Sequence, residues 1–240
     1  VVPNLLQTGS GSPTGITIYE GTLLPKVFRG QMIHAEPGHN VVRSYPVENS
    51  GAGYMATIVN ILESKKDQWF RPADVAIAPD GSLFIADWYD PGVGGHAMGD
   101  PDRGRIYRVA PSKLKYIIEK TDVTSVEGAI NALLNPNPAT RYRGWTALSA
   151  MGEKAESALT QLWKSDNQLQ RAQALWLLAK LPKGETYLNE GLTDANSNIV
   201  IAALRNSRTG GKDIIPVVEK LVSHSSPQVR REAILALRGN

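Results

Sequence analysis

Residues 71–109 read RPADVAIAPDGSLFIADWYDPGVGGHAMGDPDRGRIYRV, and this stretch decides the fold of the first half of the chain. Residues 72–78 and 82–87 are short apolar runs, and residues 105–109 alternate polar with apolar side chains, as β-strands do. Between the first two runs, Pro79-Asp80-Gly81 supplies a tight turn, because proline fixes one backbone angle and glycine accepts a positive φ. Strand, tight turn, strand, long loop and strand is the pattern of one blade of a β-propeller.

Four earlier segments also favour β-strands, with glycine and proline dense between them: residues 15–20, 31–35, 40–45 and 55–61. About seven strands make two four-stranded blades, whereas a closed propeller has about 4–8 blades. The remaining blades are therefore expected before Val1, on a longer chain of which this sequence is an internal fragment.

The second half of the chain has a helical period and a repeat. A basic or apolar anchor, followed by small residues at helical spacing, recurs at intervals of 30, 29 and 30 residues, at Arg141, Arg171, Val200 and Arg230. A polar cluster that can cap a helix precedes each anchor. Fixed spacing with small residues where helices cross predicts a helix-pair solenoid. The predicted organisation is therefore the C-terminal part of a β-propeller at residues 1–110, a linker at 111–122, and a HEAT-like α-solenoid of about four repeats at 123–240.

The composition excludes several classes of function. The chain has 240 residues, a net charge of +3 and no cysteine. Disulfides, thiolate metal sites, cysteine nucleophiles and covalent c-type haem are therefore excluded within it. Basic residues are interspersed with acidic ones, so nucleic-acid binding is not expected. No apolar run reaches the roughly 18 residues of a transmembrane helix.

The loop between the second and third predicted strands holds the candidate site. Asp87 and Asp90 flank Trp88-Tyr89, and His96 follows in a glycine-rich segment. Loop carboxylates beside a histidine can bind calcium or a polar substrate, and histidine exchanges protons near neutral pH. The alternative is that these carboxylates accept backbone hydrogen bonds within the loop. His34 and His39 form a second candidate pair of ligands, around a Pro-Gly turn.

These motifs carry a resemblance to a known family. The pieces FRPADVAIAPDG, ADWYD, GGH and GRIYRV resemble the last propeller blade of large bacterial dehydrogenase-like proteins related to sorbosone and soluble glucose dehydrogenases. The likeness is to the planctomycete and verrucomicrobial multidomain type, in which HEAT repeats and a c-type cytochrome domain follow the propeller. It covers residues 10–110 in detail and the rest in architecture.

The resemblance implies a function. The chain would be part of an exported protein, periplasmic or extracellular, that oxidises a sugar or polyol and passes electrons to a cytochrome domain outside this chain. Pyrroloquinoline quinone and calcium are the implied cofactors. Arg71 would orient an anionic cofactor or the substrate, His96 would be catalytic, and the remaining site residues are Asp74, Asp87 and Asp90, the last two also as calcium ligands.

The sequence departs from the family where the quinone would bind. Ala73 stands where those enzymes have a second arginine, and their general-base histidine lies in an earlier blade that this chain lacks. The alternative function is a non-catalytic scaffold that holds a partner protein on its solenoid, since fold does not determine function. Under that hypothesis the loop at residues 87–103 is structural. The alternative for Arg71 is a bridge to a carboxylate that pins the blade.

Overall fold

The computed structural model describes residues 4–9, 14–92, 102–117, 120–211 and 213–238. The chain divides into two units. The first comprises residues 1–49, 54–120 and 135–140, and the second comprises residues 50–53, 121–134 and 141–240.

Antiparallel sheets make up the first half of the chain. Their strands are β1 (Ile16–Tyr19), β2 (Gln31–Glu36), β3 (Val41–Tyr45), β4 (Val47–Ser50), β5 (Gly53–Ala56), β6 (Val59–Glu63), β7 (Pro72–Ile77), β8 (Leu83–Asp87) and β9 (Arg105–Val109). They pair in the orders β1-β2-β3-β6, β4-β5 and β7-β8-β9.

The β7–β8 hairpin forms where its turn residues predict it. Gly81 has a φ of +83°, and the Ala78 N–H donates to the Ser82 carbonyl at 2.8 Å to close the turn. Alternate residues of the two strands, Val75, Ile77, Leu83 and Ile85, are buried. They join Tyr19, Ile33 and Phe70 in one apolar core.

The prediction of propeller blades is wrong. The described residues form sheets of four, two and three strands, and none of these closes into a barrel or a propeller. A series of blades requires neighbouring strands to pair in turn. Here β3 pairs with β6, and the intervening strands β4 and β5 form a sheet of their own. The predicted single strand at 55–61 is therefore divided between two sheets.

The second half of the chain is helical. Its helices are α1 (Val126–Leu133), α2 (Pro138–Met151), α3 (Glu156–Trp163), α4 (Gln168–Leu178), α5 (Gly184–Leu192), α6 (Ser197–Thr209), α7 (Ile215–Leu221) and α8 (Pro227–Ala236). Side chains of Ser125, Asn167 and Asn196 accept backbone N–H bonds at the starts of α1, α4 and α6. Each cap satisfies donors that the first turn of a helix leaves open.

The prediction of a HEAT-like solenoid after propeller blades is also wrong. The anchors fall on α2, α4, α6 and α8, but they do not make equivalent contacts. Arg171 and Arg230 both donate to backbone carbonyls before their own helices, of Trp163 and of His224 respectively. Arg171 also pairs with Asp194, whereas no ion pair of Arg230 is present among the described residues. Val200 is buried. The periodicity reflects the small residues where helices cross. Packed helices need small residues at these positions whether or not they belong to a true repeat.

Gly144 allows a close approach of α2 to α1. A Cβ at this position would lie 2.4 Å from the Leu133 nitrogen and 2.7 Å from the Ala129 carbonyl oxygen. Because both are backbone atoms, relieving the overlap requires a helix to shift. We expect Gly144→Ala to lower the free energy of unfolding by about 1–3 kcal/mol, measured by urea denaturation.

The matched control is Ser149→Ala, on the exposed side of the same helix. Alanine is the better helix former, so this change is expected to be neutral or slightly stabilising. Equal effects of the two substitutions would show that helix propensity, rather than the α1–α2 contact, governs position 144.

None of the helices in the described part of the chain is long and apolar enough to cross a membrane.

Candidate functional site

Arg71 lies at the start of β7 and is buried. Its Nε donates to the Asp90 carbonyl at 3.0 Å, Nη1 to the Pro37 carbonyl at 2.9 Å, and Nη2 to the Pro91 carbonyl at 3.2 Å. All three guanidinium nitrogens therefore hold backbone oxygens, two of them in the loop after β8. These contacts make Arg71 a clamp for that loop.

Asp87 ends β8, and its side chain has no exposed surface. Oδ1 accepts the backbone N–H of Arg71 at 2.8 Å and that of Tyr89 at 3.0 Å. Oδ2 accepts from Arg105 Nε at 2.8 Å. Both carboxylate oxygens are thus occupied by protein donors.

Asp90 and Asp74 make local contacts. Asp90 is buried, and its Oδ1 accepts the Gly92 N–H at 2.7 Å. Asp74 lies on β7, where its Oδ1 accepts the N–H of Val75 at 2.8 Å. These contacts agree with the alternative interpretation of the sequence, in which the carboxylates accept backbone N–H groups. The catalytic prediction for His96 falls outside the described residues.

These donor sets do not fit the two implied cofactors. The oxygens of Asp87 already accept from two N–H groups and a guanidinium, and within the described ranges no group of three or more His, Asp or Glu side chains could hold a metal. Arg71 binds backbone carbonyls instead of presenting its guanidinium to quinone carboxylates. No catalytic step is therefore derived through calcium or quinone, and the site roles implied by the resemblance stay predictions.

Aromatic and arginine side chains surround Asp87. The Arg105 guanidinium lies 3.8 Å from the ring centroid of Tyr89, and the Tyr89 ring lies 5.6 Å from that of Trp69. Arg103 lies over the other ring of this pair, at 5.5 Å from Trp69. We call Trp69, Trp88, Tyr89, Arg103 and Arg105 the aromatic–arginine corner.

Tyr89 adopts an uncommon backbone conformation that orients this corner. Its φ is +56°, in a region that costs a residue with a Cβ about 1–3 kcal/mol. The Asp87 carboxylate holds the Tyr89 N–H, so the turn places the ring over Arg105. Trp88, the neighbour of Tyr89 in the chain, is 43% exposed.

Sequence reasoning did not single out Trp69, Arg103 or Arg105 as site residues. Arg105 bridges Asp67 at 3.1 Å and Asp87 at 2.7 Å, across 38 and 18 residues of sequence. The signal available beforehand was the alternation in GRIYRV, which places Arg105 and Tyr107 on the same face of β9.

A second polar cluster lies on one face of β2 and β3. His34 and Arg43 are opposite each other in the strand register, and both are buried, as are Glu36 and Tyr45. His34 Nδ1 lies 3.1 Å from the Tyr45 hydroxyl, whereas His39 Nδ1 accepts from Arg43 Nη2 at 2.6 Å. The two histidines therefore have different partners, and their role as a pair of ligands stays a prediction.

Protonation of His34 should couple to stability. Burial lowers its pKa and Arg43 lowers it further, while Glu36 acts in the opposite direction. The folded chain then binds fewer protons than the unfolded chain, whose histidines titrate near about 6.5. We expect the free energy of unfolding to fall as pH decreases below about 6.5.

Urea denaturation between pH 7.5 and 5.5 measures this effect, and His34→Gln is the comparison. The variant should show a smaller loss of stability on acidification than the wild type, whatever its stability at pH 7.5. Parallel pH profiles would assign the acid sensitivity to other groups.

The chain thus has a sheet-containing unit and a helical unit. In the sheet-containing unit, charged side chains bind the backbone of the loop after β8. Residues 7–113 match the model of a family described as Domain of unknown function (DUF7133). The match covers less than half of the 240 residues and includes all the strands and the whole corner. No curated protein matches the chain.

Proposed function

We propose that this chain is a non-catalytic binding module that holds a partner protein at the aromatic–arginine corner. The proposal rests on the hydrogen-bond partners of Arg71 and Asp87. The side chains that a dehydrogenase would direct at a cofactor bind the loop backbone and Arg105 instead. We place the partner on the outer surface over these contacts, where Trp88 is exposed.

The composition of that surface favours a protein partner. Tryptophan, tyrosine and arginine are the residues that most often dominate the energetics of protein interfaces. Trp88 is 43% exposed, and Arg103 is exposed at the rim. The ion pairs of Arg105 with Asp67 and Asp87 fix the rings beneath them, which reduces the entropy lost on binding.

The rival proposal is an exported oxidoreductase that acts on a sugar or polyol and is linked to a cytochrome outside this chain. The motif resemblance supports this proposal. The side-chain contacts of Arg71 and Asp87 do not support it. The periplasmic or extracellular location stays a prediction from the same resemblance. A partner on the helical half also stays a prediction, and Tyr142 on α2, which is 67% exposed, is the residue to vary there.

A photocrosslinking residue at position 88 tests the binding proposal. Installed in the protein as its own cells produce it, p-benzoylphenylalanine in place of Trp88 should give one discrete, heavier adduct on illumination. Leu169 on α4 is similarly exposed, at 42%, and is the control position. No adduct at 88, or the same adducts at both positions, would overturn the proposal.

Cofactor binding separates the two functions. The purified chain should release no heat when titrated with pyrroloquinoline quinone in the presence of calcium, and it should not reduce dye with glucose. Saturable quinone binding that is lost in a folded Arg71→Lys variant would favour the oxidoreductase.

A further inference from the structure

An open groove lies in the first unit, and its lining includes no residue of the aromatic–arginine corner. Its volume is about 640 Å³, within the range of about 300–1,000 Å³ typical of small-molecule sites. Most of the lining is apolar and includes Leu24, Phe28, Ile61, Val109 and Pro111. The polar side chains in the lining are Arg29 and Asn60.

The loop that forms one wall of this groove is fixed in place. The buried Tyr19 hydroxyl donates to the Gly81 carbonyl at 2.9 Å and accepts the Leu24 N–H at 2.9 Å. Gly21 lies against the same hydroxyl, which would be 2.7 Å from a Cβ at that position. Leu24 and Phe28 are themselves buried. The wall is therefore preformed, and little conformational entropy is lost when a ligand binds.

Arg29 is held in position with hydrogen-bonding capacity to spare. Its Nη2 donates to the Thr22 carbonyl at 2.7 Å and its Nε to the Leu24 carbonyl at 3.4 Å. A guanidinium carries five N–H donors, so these two bonds leave three. Among the described residues, Arg29 forms no ion pair with a carboxylate.

The charge of Arg29 decides which ligand suits the groove. A positioned guanidinium beside an apolar surface matches a molecule with a hydrocarbon body and one anionic end. The fork of N–H groups on an arginine complements the two oxygens of a carboxylate. We propose that this groove binds a small amphiphilic carboxylate, with the carboxylate on Arg29 and the hydrocarbon chain against Leu24, Phe28 and Ile61.

Octanoate is the probe for this site. Titrated into the ¹⁵N-labelled full chain, it should shift the backbone amide signals of residues 23–24, 26–29, 60–61 and 109–110 in a saturable way. Arg29→Gln should weaken binding about tenfold or more, since it removes the charge-assisted hydrogen bonds to the carboxylate. Lys26→Gln is the matched control, because this exposed cation lies on the same loop and does not line the groove.

Two further ligands separate the contributions of charge and chain. Acetate has the charge without the apolar body, and octylammonium has the body with the opposite charge, so neither should produce the octanoate pattern. The proposal is overturned if octylammonium binds as well as octanoate, if Arg29→Gln leaves the affinity unchanged, or if octanoate shifts no groove signals. Unchanged signals elsewhere in the Arg29→Gln spectrum show that the variant is folded.

Discussion

Arg71→Met should lower the free energy of unfolding of the first unit by about 3–5 kcal/mol, because a buried carbonyl left without a donor costs about 1–3 kcal/mol. Three carbonyls, those of Pro37, Asp90 and Pro91, would lose their bond to Arg71 together. The Pro37 carbonyl would keep the Asn40 N–H as a donor, and the other two would lose the guanidinium that holds them. Methionine fills much of the space but supplies no N–H group. We also expect the loop after β8 to lose its attachment to the turn at Pro37.

Amide hydrogen exchange in β7 and β8 is the appropriate measurement, since it reports on the first unit separately from the helical unit. Lys26→Met removes an exposed cation and should change stability by less than about 0.5 kcal/mol. Arg71→Lys retains the charge but cannot span three acceptors with its single ammonium group, so it should recover only part of the loss. A loss below about 1 kcal/mol for Arg71→Met would contradict the clamp and leave a ligand-binding role open.

Asp87→Ala should have an effect of similar size, about 3–5 kcal/mol, because each buried donor left without an acceptor costs about 1–3 kcal/mol. The substitution leaves the backbone N–H groups of Arg71 and Tyr89 without their acceptor. It also removes the buried partner of Arg105. Because the Asp87–Tyr89 bond supports a positive φ, we expect the Tyr89 ring to leave Arg105.

A double-mutant cycle with Arg105→Met measures the pair itself. The combined variant should be more stable than the sum of the two single losses predicts, with a coupling energy of about 1–3 kcal/mol. Asp87→Asn serves if the alanine variant does not fold, since it retains an oxygen for the backbone donors and loses the charge. Strict additivity would show that Arg105 is held by Asp67 and the aromatic rings alone.

Much of the local structure was predictable from the sequence. Pro79-Asp80-Gly81 between two apolar runs predicted the β7–β8 hairpin, and the hairpin is there. Polar clusters at Asn167 and Asn196 predicted two helix starts, and both side chains cap them. In each case the determining interactions span only a few residues.

The arrangement of these elements was not predictable in the same way. The pairing of β3 with β6 joins two strands that the β4–β5 ribbon separates in the chain, and no local pattern encodes it. The spacing of Arg141, Arg171 and Arg230 suggested equivalent repeats, although the contacts of Arg171 and Arg230 differ. A periodic pattern records which side chains are small or apolar, and it does not record their partners.

The site shows the same division between local and distant interactions. By itself the sequence determined that Asp87 and Asp90 flank Trp88-Tyr89 in one loop and that Arg71 precedes the strand before the hairpin turn. It left open whether these side chains bind a ligand or the protein. Only the tertiary structure decided this, by bringing the Pro37 carbonyl to Arg71 across 34 residues and Arg105 to Asp87 across 18. Burial is the physical reason: charged groups removed from water must find partners within the protein, and the fold determines which partners are within reach.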